Sequence, residues 1–462
     1  MIQAVVGSGG KTTLIHKKAA EYRSQGKTVF VTTTTHMRIE PDTLLTDDAG
    51  EILRRLTETG YAMAGRPEGE KIKALSPAVY REVCAQADVV LVEADGSKGM
   101  PLKYPHAAEP VIPDNADTIL VVCGLNALGH PAREVCHRLE LVTDCLGIDG
   151  DTLVTPKHIQ RLMTDGYLKP LRAKYPDKAV TLVPRTDGSL YQRAVAALMT
   201  SGMDAGLLRQ EWFQPQPRLI VCGAGHVGRE VAELAARLDF TVRVVDDRAD
   251  LLTRERFPAA DELVCDSFDH LSRHMEAGAC YVVVTPNHKA DYQCVATILP
   301  TEYSYLGMMG SKHKVAATFA RLREAGFAED RIGRIFAPIG LPIGAVTPAE
   351  IAVSILAQLI QEKNRTHAAS ADRSLLANRE PGVLCVVIEA EGSVPRGAGS
   401  MMLVGREHLL GSIGGGQSEH LAILHAKGLT GGDIQTYQLH HGAAGGLDMV
   451  CGGRIQVLFL PV

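Results

Sequence analysis

Short apolar runs recur along the chain, each followed by a glycine-bearing turn and a stretch of helical length. In the first part they fall at residues 2–6, 28–32, 89–93, 118–123 and 179–183, with spacers such as residues 11–25. Continuous apolar runs of this length suit strands buried on both faces, so the rhythm predicts a parallel sheet covered by helices. The same rhythm returns at residues 219–222, 242–246, 281–285 and 303–306. Its last helix carries its own start signal. Thr347 stands at the cap, Pro348 at the first helical position and Glu350 three residues past the cap, ahead of Ile351, Ile355 and Leu359. A third group of runs, at 383–388, 401–404 and 455–460 with a helix expected over 418–427, reads as a small α/β domain.

Two seams separate the groups. Gln214-Pro215-Gln216-Pro217 disfavours helix immediately before a new apolar run, and residues 362–381 are polar and charged. The expected domains are therefore 1–213, 218–363 and 381–462, in keeping with about 150 residues per domain for a chain of 462. No repeat of fixed period is visible, which sets solenoids and propellers aside.

Composition narrows the class. With 45% hydrophobic and 22% charged residues the chain is expected to fold as a soluble protein, not to remain disordered. A net charge of -5 provides no cationic field for nucleic acid or an anionic membrane. The 10 cysteines are scattered without any C-x-x-C, so neither a zinc ribbon nor a disulfide framework is expected. Met1 leads directly into an apolar strand, and no apolar run reaches the length of a membrane span. The expectation is a cytoplasmic protein without a membrane segment.

The chemistry starts at Gly7-Ser8-Gly9-Gly10-Lys11-Thr12-Thr13, a glycine-rich turn between a strand and a helix. Polyphosphate needs close backbone N–H groups, a helix N-terminus, a lysine for the terminal phosphates and a hydroxyl for Mg²⁺. The loop is shorter than the usual G-x-x-x-x-G-K-[ST] pattern, since Val5 stands where its first glycine would be, and it resembles the compact loop of Mur-type ATP-dependent ligases. Gly7, Gly9, Gly10, Lys11, Thr12 and Thr13 are the candidate ATP-binding residues. The apolar run ending in Glu93-Ala94-Asp95 resembles a Walker B strand, which makes Glu93 and Asp95 the candidate catalytic carboxylates and Thr12 with Asp95 the candidate Mg²⁺ ligands. Hydroxyls of residues 32–35 are candidates for the γ-phosphate side. At Val183-Pro184-Arg185-Thr186-Asp187 only Asp187 fits the guanine-reading N-K-x-D pattern, which favours ATP over GTP.

In the second group, Gly223-Ala224-Gly225-His226-Val227-Gly228 follows a strand and opens a helix, and Asp246 ends the next strand. This order is that of a Rossmann dinucleotide site: Gly223, Gly225 and Gly228 for the turn and pyrophosphate approach, Asp246 for ribose hydroxyls, and NAD(P) as the candidate ligand. Gly310-Ser311-Lys312 offers either a further phosphate grip through Ser311 or a plain helix start. No proton-relay pair for hydride transfer stands out, so an NAD(P)-dependent oxidoreductase is a lesser alternative.

Residues 1–205, through the phosphate loop, the stretch from Glu93 to Lys103 and His137-Arg138, resemble the YqeC-like family of selenium-dependent hydroxylase accessory proteins. Residues 218–362 resemble the Rossmann domain of the XdhC/CoxI family of molybdenum hydroxylase maturation factors. That likeness rests on the glycine fingerprint, Asp246-Asp247-Arg248, Arg256-Phe257-Pro258, the stretch from Gly307 to Lys312 and that from Ala337 to Gly344. The third group resembles the family's other domain through the stretches from Glu391 to Gly399 and from Gly411 to Glu419, and through Cys451-Gly452-Gly453. The family places that domain first, and here it comes last, as if permuted. Gln417 stands where many CoxI-like members have a second cysteine, leaving Cys451 as the one motif thiol, a candidate for carrying sulfur or touching the metal's dithiolene ligand. Arg396, Gly415 and Gly416 are the candidate contacts for a pterin phosphate.

The fold expected is thus α/β throughout: a P-loop NTPase-like parallel-sheet domain, a doubly wound Rossmann domain and a small XdhC/CoxI-type domain. The resemblance implies a maturation factor that binds ATP with Mg²⁺, carries the molybdenum cofactor as cargo and serves a xanthine dehydrogenase-like apo-enzyme. It also implies a cysteine desulfurase or selenium donor as a further partner, with a homo-oligomer open. The alternative from another class is a stand-alone ATP-dependent ligase or kinase acting on a small molecule.

Overall fold

A computed structural model describes residues 1–96, 98–213, 217–366, 373–439 and 452–462. The chain forms two compact units, one made of Met1–Gln210 with Ser374–Val462 and the other of Glu211–Arg373.

In the first unit, strand β1 (Ile2–Gly7) leads through the glycine loop into helix α1 (Lys11–Ser24) and strand β2 (Val29–Thr33). Strands β3 (Val89–Glu93), β4 (Leu102–Lys103), β5 (Thr118–Gly124), β6 (Cys136–His137) and β7 (Ala179–Arg185) follow, and then helix α2 (Leu190–Ser201). The sheet runs β7-β5-β1-β3-β2 with parallel neighbours, as the apolar runs predict. Beyond β2 it is extended by Tyr61–Glu68, Lys71–Lys73 and His36–Arg38, the last pairs antiparallel. Lys71–Lys73 and His36–Arg38 are short and polar, whereas Tyr61–Glu68 begins with the apolar run Tyr61-Ala62-Met63-Ala64; none of the three is among the strands expected from the sequence. Val5, Val31, Leu91 and Val122 pack against Leu14 and Ile15 of α1 on one face of the sheet, and Phe30, Val90 and Val92 pack against Ile52 and Leu56 on the other.

From β1 the chain fills the sheet toward β2 and then crosses to β5 and β7. The crevice at the C-terminal ends of β1 and β5 is therefore the switch point, where open parallel sheets bind their ligands. The glycine loop lies there.

The second unit is a five-stranded parallel sheet, β10-β9-β8-β11-β12, built from β8 (Arg218–Cys222), β9 (Thr241–Asp246), β10 (Glu262–Cys265), β11 (Cys280–Val283) and β12 (Tyr305–Met308). Helices α3 (His226–Arg237) and α6 (Pro348–Thr366) cover one face, while α4 (His288–Ile298) and α5 (Lys312–Glu324) cover the other. The doubly wound expectation holds. The expected last strand, at 303–306, forms two residues later, over Tyr305–Met308, with the Ser304 N–H already bonded to the Ala279 carbonyl just ahead of the paired Cys280 and Tyr305.

The chain then rejoins the first unit with β13 (Val383–Gly392), β14 (Met401–Val404), β15 (Leu409–Gly411), α7 (Gly416–Lys427), β16 (Asp433–Leu439) and β17 (Gly453–Pro461). Here the sheet order is β15-β14-β13-β17-β16 and every pair is antiparallel, so this part is an antiparallel sheet backed by one helix. Arg193 of α2 fastens it to the rest of the unit, donating to the carbonyls of Asn378, Arg379 and Glu380 at 2.9–3.3 Å. Among the described residues no helix is long and apolar enough to cross a membrane.

Candidate functional site

The end of β1 must turn sharply to start α1, and three glycines let it. Gly7 is the tightest, with φ 89° and a Cβ there 2.1 Å from the Val122 carbonyl oxygen; Gly9 has φ 75°, and a Cβ there would lie 2.5 Å from the Gly124 backbone and 2.6 Å from the Pro101 carbonyl. The loop thus presses directly on the end of β5 and on the segment after β3. Gly10 precedes α1 and supplies no side-chain cap to the helix start.

Lys11 is buried and folds back to donate from Nζ to the Gly7 carbonyl at 2.8 Å, with Glu93 Oε1 at 3.7 Å. Thr12 Oγ1 donates to Glu93 Oε2 at 3.3 Å. Burial pushes the Glu93 carboxyl up, against the pull of Lys11 and Thr12, and lowers the Lys11 ammonium against Glu93 and Asp95.

Asp95 occupies a different place from the expected one. It is fully buried, and its Oδ2 accepts from the Gly7 N–H at 3.1 Å and from Tyr167 Oη at 2.8 Å, while Oδ1 pairs with Lys103 Nζ. Both oxygens are committed to the protein, so the carboxylate beside Thr12 is Glu93 and not Asp95. Asp95 holds the first glycine of the loop. Lys103, also fully buried, donates in addition to Glu109 Oε2 at 2.9 Å, which takes Arg138 Nη1 at 2.7 Å. The short parallel pair β4–β6 brings Lys103 level with His137, next to Arg138. Tyr167 reaches Asp95 from a single π-helical turn, Thr164–Leu168. Lys103 and Arg138 stand inside motifs that carry the family likeness but are not assigned to the site by sequence, and Glu109 and Tyr167 carry no local signal at all.

The threonines at 32–35 also settle differently. Thr32 Oγ1 donates to the Ala64 carbonyl at 2.9 Å, Thr33 Oγ1 to the Glu93 carbonyl at 2.7 Å and Thr34 Oγ1 to the Val111 carbonyl at 2.7 Å. They stitch strand ends together instead of pointing at a γ-phosphate. Thr13 is exposed on the first turn of α1.

The Glu109 carboxyl carries a measurable consequence. Burial works to raise it, but the hydrogen bonds from Arg138 and Lys103 prevail and hold it at about 2, below its ordinary 4.5. A depressed folded value means the stabilisation is complete above about pH 4.5 and is lost as pH falls toward about 2. Thermal unfolding of wild type and Glu109→Gln across that window is expected to show a gap that closes on acidification; a gap independent of pH would refute this assignment.

In the second unit the glycine fingerprint takes the expected turn. Gly223 has φ 123°, and α3 starts directly after Gly225. Asp246, however, is fully buried and accepts from the Ala224 N–H at 2.6 Å, while Arg248 grips both of its oxygens at 2.8 Å. The carboxylate expected to take ribose hydroxyls is closed by its own chain, and the donor set does not fit a dinucleotide ribose. Arg256 reaches the Ala224 carbonyl at 3.2 Å beside the same turn. Ser311 caps α5 by accepting from the Lys314 N–H at 3.3 Å, and Lys314 pairs with the buried Asp291, so the Gly310-Ser311-Lys312 turn is a helix start.

In the antiparallel part the loop carrying Gly415 and Gly416 wraps around Glu419. Its Oε2 accepts from Ser412 Oγ at 2.6 Å and from the N–H groups of Ile413 and Gly415, each at 3.0 Å. The backbone N–H groups around Gly415, expected to meet a pterin phosphate, are thus taken by a carboxylate from the first turn of α7. Arg396 is exposed and donates to the Ser412 carbonyl at 3.4 Å. Cys451 lies outside the described residues. Among the described residues no group of three or more His, Cys, Asp or Glu is placed to hold a metal ion.

Three family models match the chain: the YqeC protein over residues 3–140, the XdhC Rossmann domain over 219–359, and the XdhC and CoxI family over 375–439. The protein YqeB of Escherichia coli (strain K12) is 34% identical over 183 residues, covering 39% of this chain and 33% of that protein. YqeC of the same organism is 36% identical over 160 residues, covering 32% and 61%. A probable xanthine dehydrogenase subunit of Bacillus subtilis (strain 168) is 27% identical over 239 residues, covering 50% and 67%. The chain therefore spans between 33% and 67% of the length of these relatives.

Proposed function

We propose, for a chain that joins a YqeC region to XdhC Rossmann and XdhC/CoxI regions, a role as maturation factor of a molybdenum hydroxylase of the xanthine dehydrogenase type. It takes the molybdenum cofactor as cargo, supports its modification with sulfur or selenium, and couples that step to ATP. The observation that carries the reading is the phosphate loop with Lys11, Thr12 and Glu93 gathered at its end, in one chain with the two XdhC-type regions.

The residues at the loop fit ATP with Mg²⁺. Backbone N–H groups from Gly9 to Thr13 would cradle the phosphates, Lys11 would leave the Gly7 carbonyl for the terminal phosphates, and Thr12 with Glu93 would hold the cation. The bound cation supplies charge neutralisation at the terminal phosphate. Asp95 acts through the Gly7 N–H, as a positioning residue. The closed Asp246–Arg248 pair favours no dinucleotide, so NAD(P) is left out of the reading. On sequence, Cys451 is the thiol that would bear sulfur.

The test is reconstitution: an immature hydroxylase, cofactor, ATP, a sulfur or selenium donor, and this protein. Wild type is expected to restore hydroxylase activity, and Lys11→Ala and Cys451→Ala to lower it by about a hundredfold, the scale of losing one preorganised polar group in a dry site. Should wild type have no effect while purified protein turns over ATP on a small acceptor, the chain is a stand-alone ligase or kinase and this reading fails.

A further inference from the structure

The phosphate loop has a second basic residue beside it, on the side away from Glu93. Arg185 ends β7 opposite Gly124 of β5, and Gly124 abuts Gly9: a Cβ on Gly124 would lie 3.0 Å from the Gly9 Cα. The Arg185 side chain runs over the last glycine of the loop, so that a Cβ on Gly10 would meet its Cγ at 3.4 Å and its Nε at 3.5 Å. Arg185 is half-buried, yet among the described residues no carboxylate, carbonyl or ring pairs with its guanidinium. Arg138 and Arg193 of the same unit both donate to protein acceptors.

The direction of the nucleotide follows from the sheet. On the β3 side of the loop Glu93 and Thr12 mark the cation, and the hydroxyl of Thr33 closes the neighbouring strand end. The nucleoside must then leave toward β5 and β7, where Arg185 stands. Asp187, two residues on, already accepts from the Ser189 N–H at 2.7 Å in its own turn. The planar guanidinium is thus the group presented to the base.

We propose that Arg185 is the nucleoside-side clamp of the phosphate loop, its stem packed on Gly10 and its guanidinium stacked flat on the purine of the bound nucleotide. This deepens, and rests on, the reading of the loop as a nucleotide site. Guanidinium groups stack on π faces more readily than ammonium groups do, and a stack of this kind recognises the ring plane, not the phosphates.

Calorimetric titration of the full chain with Mg²⁺ and either ATP or inorganic tripolyphosphate tests it, with circular dichroism to check that each variant is folded. Arg185→Ala is expected to weaken ATP binding about tenfold and leave tripolyphosphate binding as in wild type, with Arg185→Lys recovering only part of the loss. Equal weakening of both ligands would make Arg185 a phosphate contact and overturn the stack, and unchanged ATP binding would overturn any role. Lys11→Ala is expected to weaken both ligands. If wild type binds neither, and Lys11→Ala changes nothing, the nucleotide reading itself falls, and the clamp with it.

Discussion

Lys103→Met is expected to destabilise the first unit by about 3–5 kcal/mol, the range for breaking a buried ion pair from one side. Lys103 and Asp95 are both fully buried, and Lys103 is also the donor that links Asp95 to Glu109. Without the ammonium, Asp95 keeps only the Gly7 N–H and Tyr167 Oη, too few donors for a carboxylate removed from water. Denaturant unfolding of the full chain, followed by a probe in the first unit, measures the loss. The double variant Lys103→Met with Asp95→Asn is expected to recover part of it, because the stranded charge is then gone. A loss under about 1 kcal/mol for the single variant would place the pair among ordinary surface bridges and remove its role in holding the loop. Since Asp95 grips Gly7, the variant is also expected to bind ATP more weakly even under conditions where it remains folded.

The second large effect belongs to Gly228. A Cβ there would stand 1.9 Å from the Gly223 carbonyl oxygen, a backbone atom that no rotamer change can move aside. Gly228→Ala must push α3 off the end of β8, where Val231, Ala232 and Ala235 pack against Leu219 and Val221 in the core. A loss of about 3 kcal/mol, at the upper end of overpacking, is expected in the stability of the second unit. Thermal unfolding checks it, and an unchanged midpoint would mean that helix and strand are less closely seated than the structure has them. The glycine is therefore needed for packing whether or not a ligand ever reaches this turn.

Gly223, Gly225, Gly228 and Asp246 spell a dinucleotide fingerprint, and the turn they build is the expected one. Whether Asp246 is open to a ribose depends on where the Arg248 side chain goes, two residues later, and it goes onto the carboxylate. Likewise Gly415 and Gly416 announce a backbone nest, while the acid that fills it, Glu419, comes from the following helix turn. A motif records which conformations the backbone can take. It does not record which neighbour arrives first at the donors so created.

The parallel strands β7-β5-β1-β3-β2 of the first sheet, the parallel second sheet, the glycine turns and the order of strand, loop and helix around Lys11 and Gly223 were legible from the residues alone. Those features are local: a buried strand must be continuously apolar, a left-handed turn needs glycine, and both leave their mark on adjacent residues. It took the folded chain to establish that Glu93 and not Asp95 faces Thr12, that Lys103, Glu109 and Tyr167 belong to the site, and that Arg185 lies across Gly10. The same holds for the C-terminal sheet, which is antiparallel and packs in one unit with residues 1–210. These contacts join residues far apart in the chain, and the charge each side chain must neutralise after burial is set by whichever segments fold against it. A buried carboxylate must take the donors that reach it, and for Asp95 those donors come from the glycine loop and from the segment between β3 and β7.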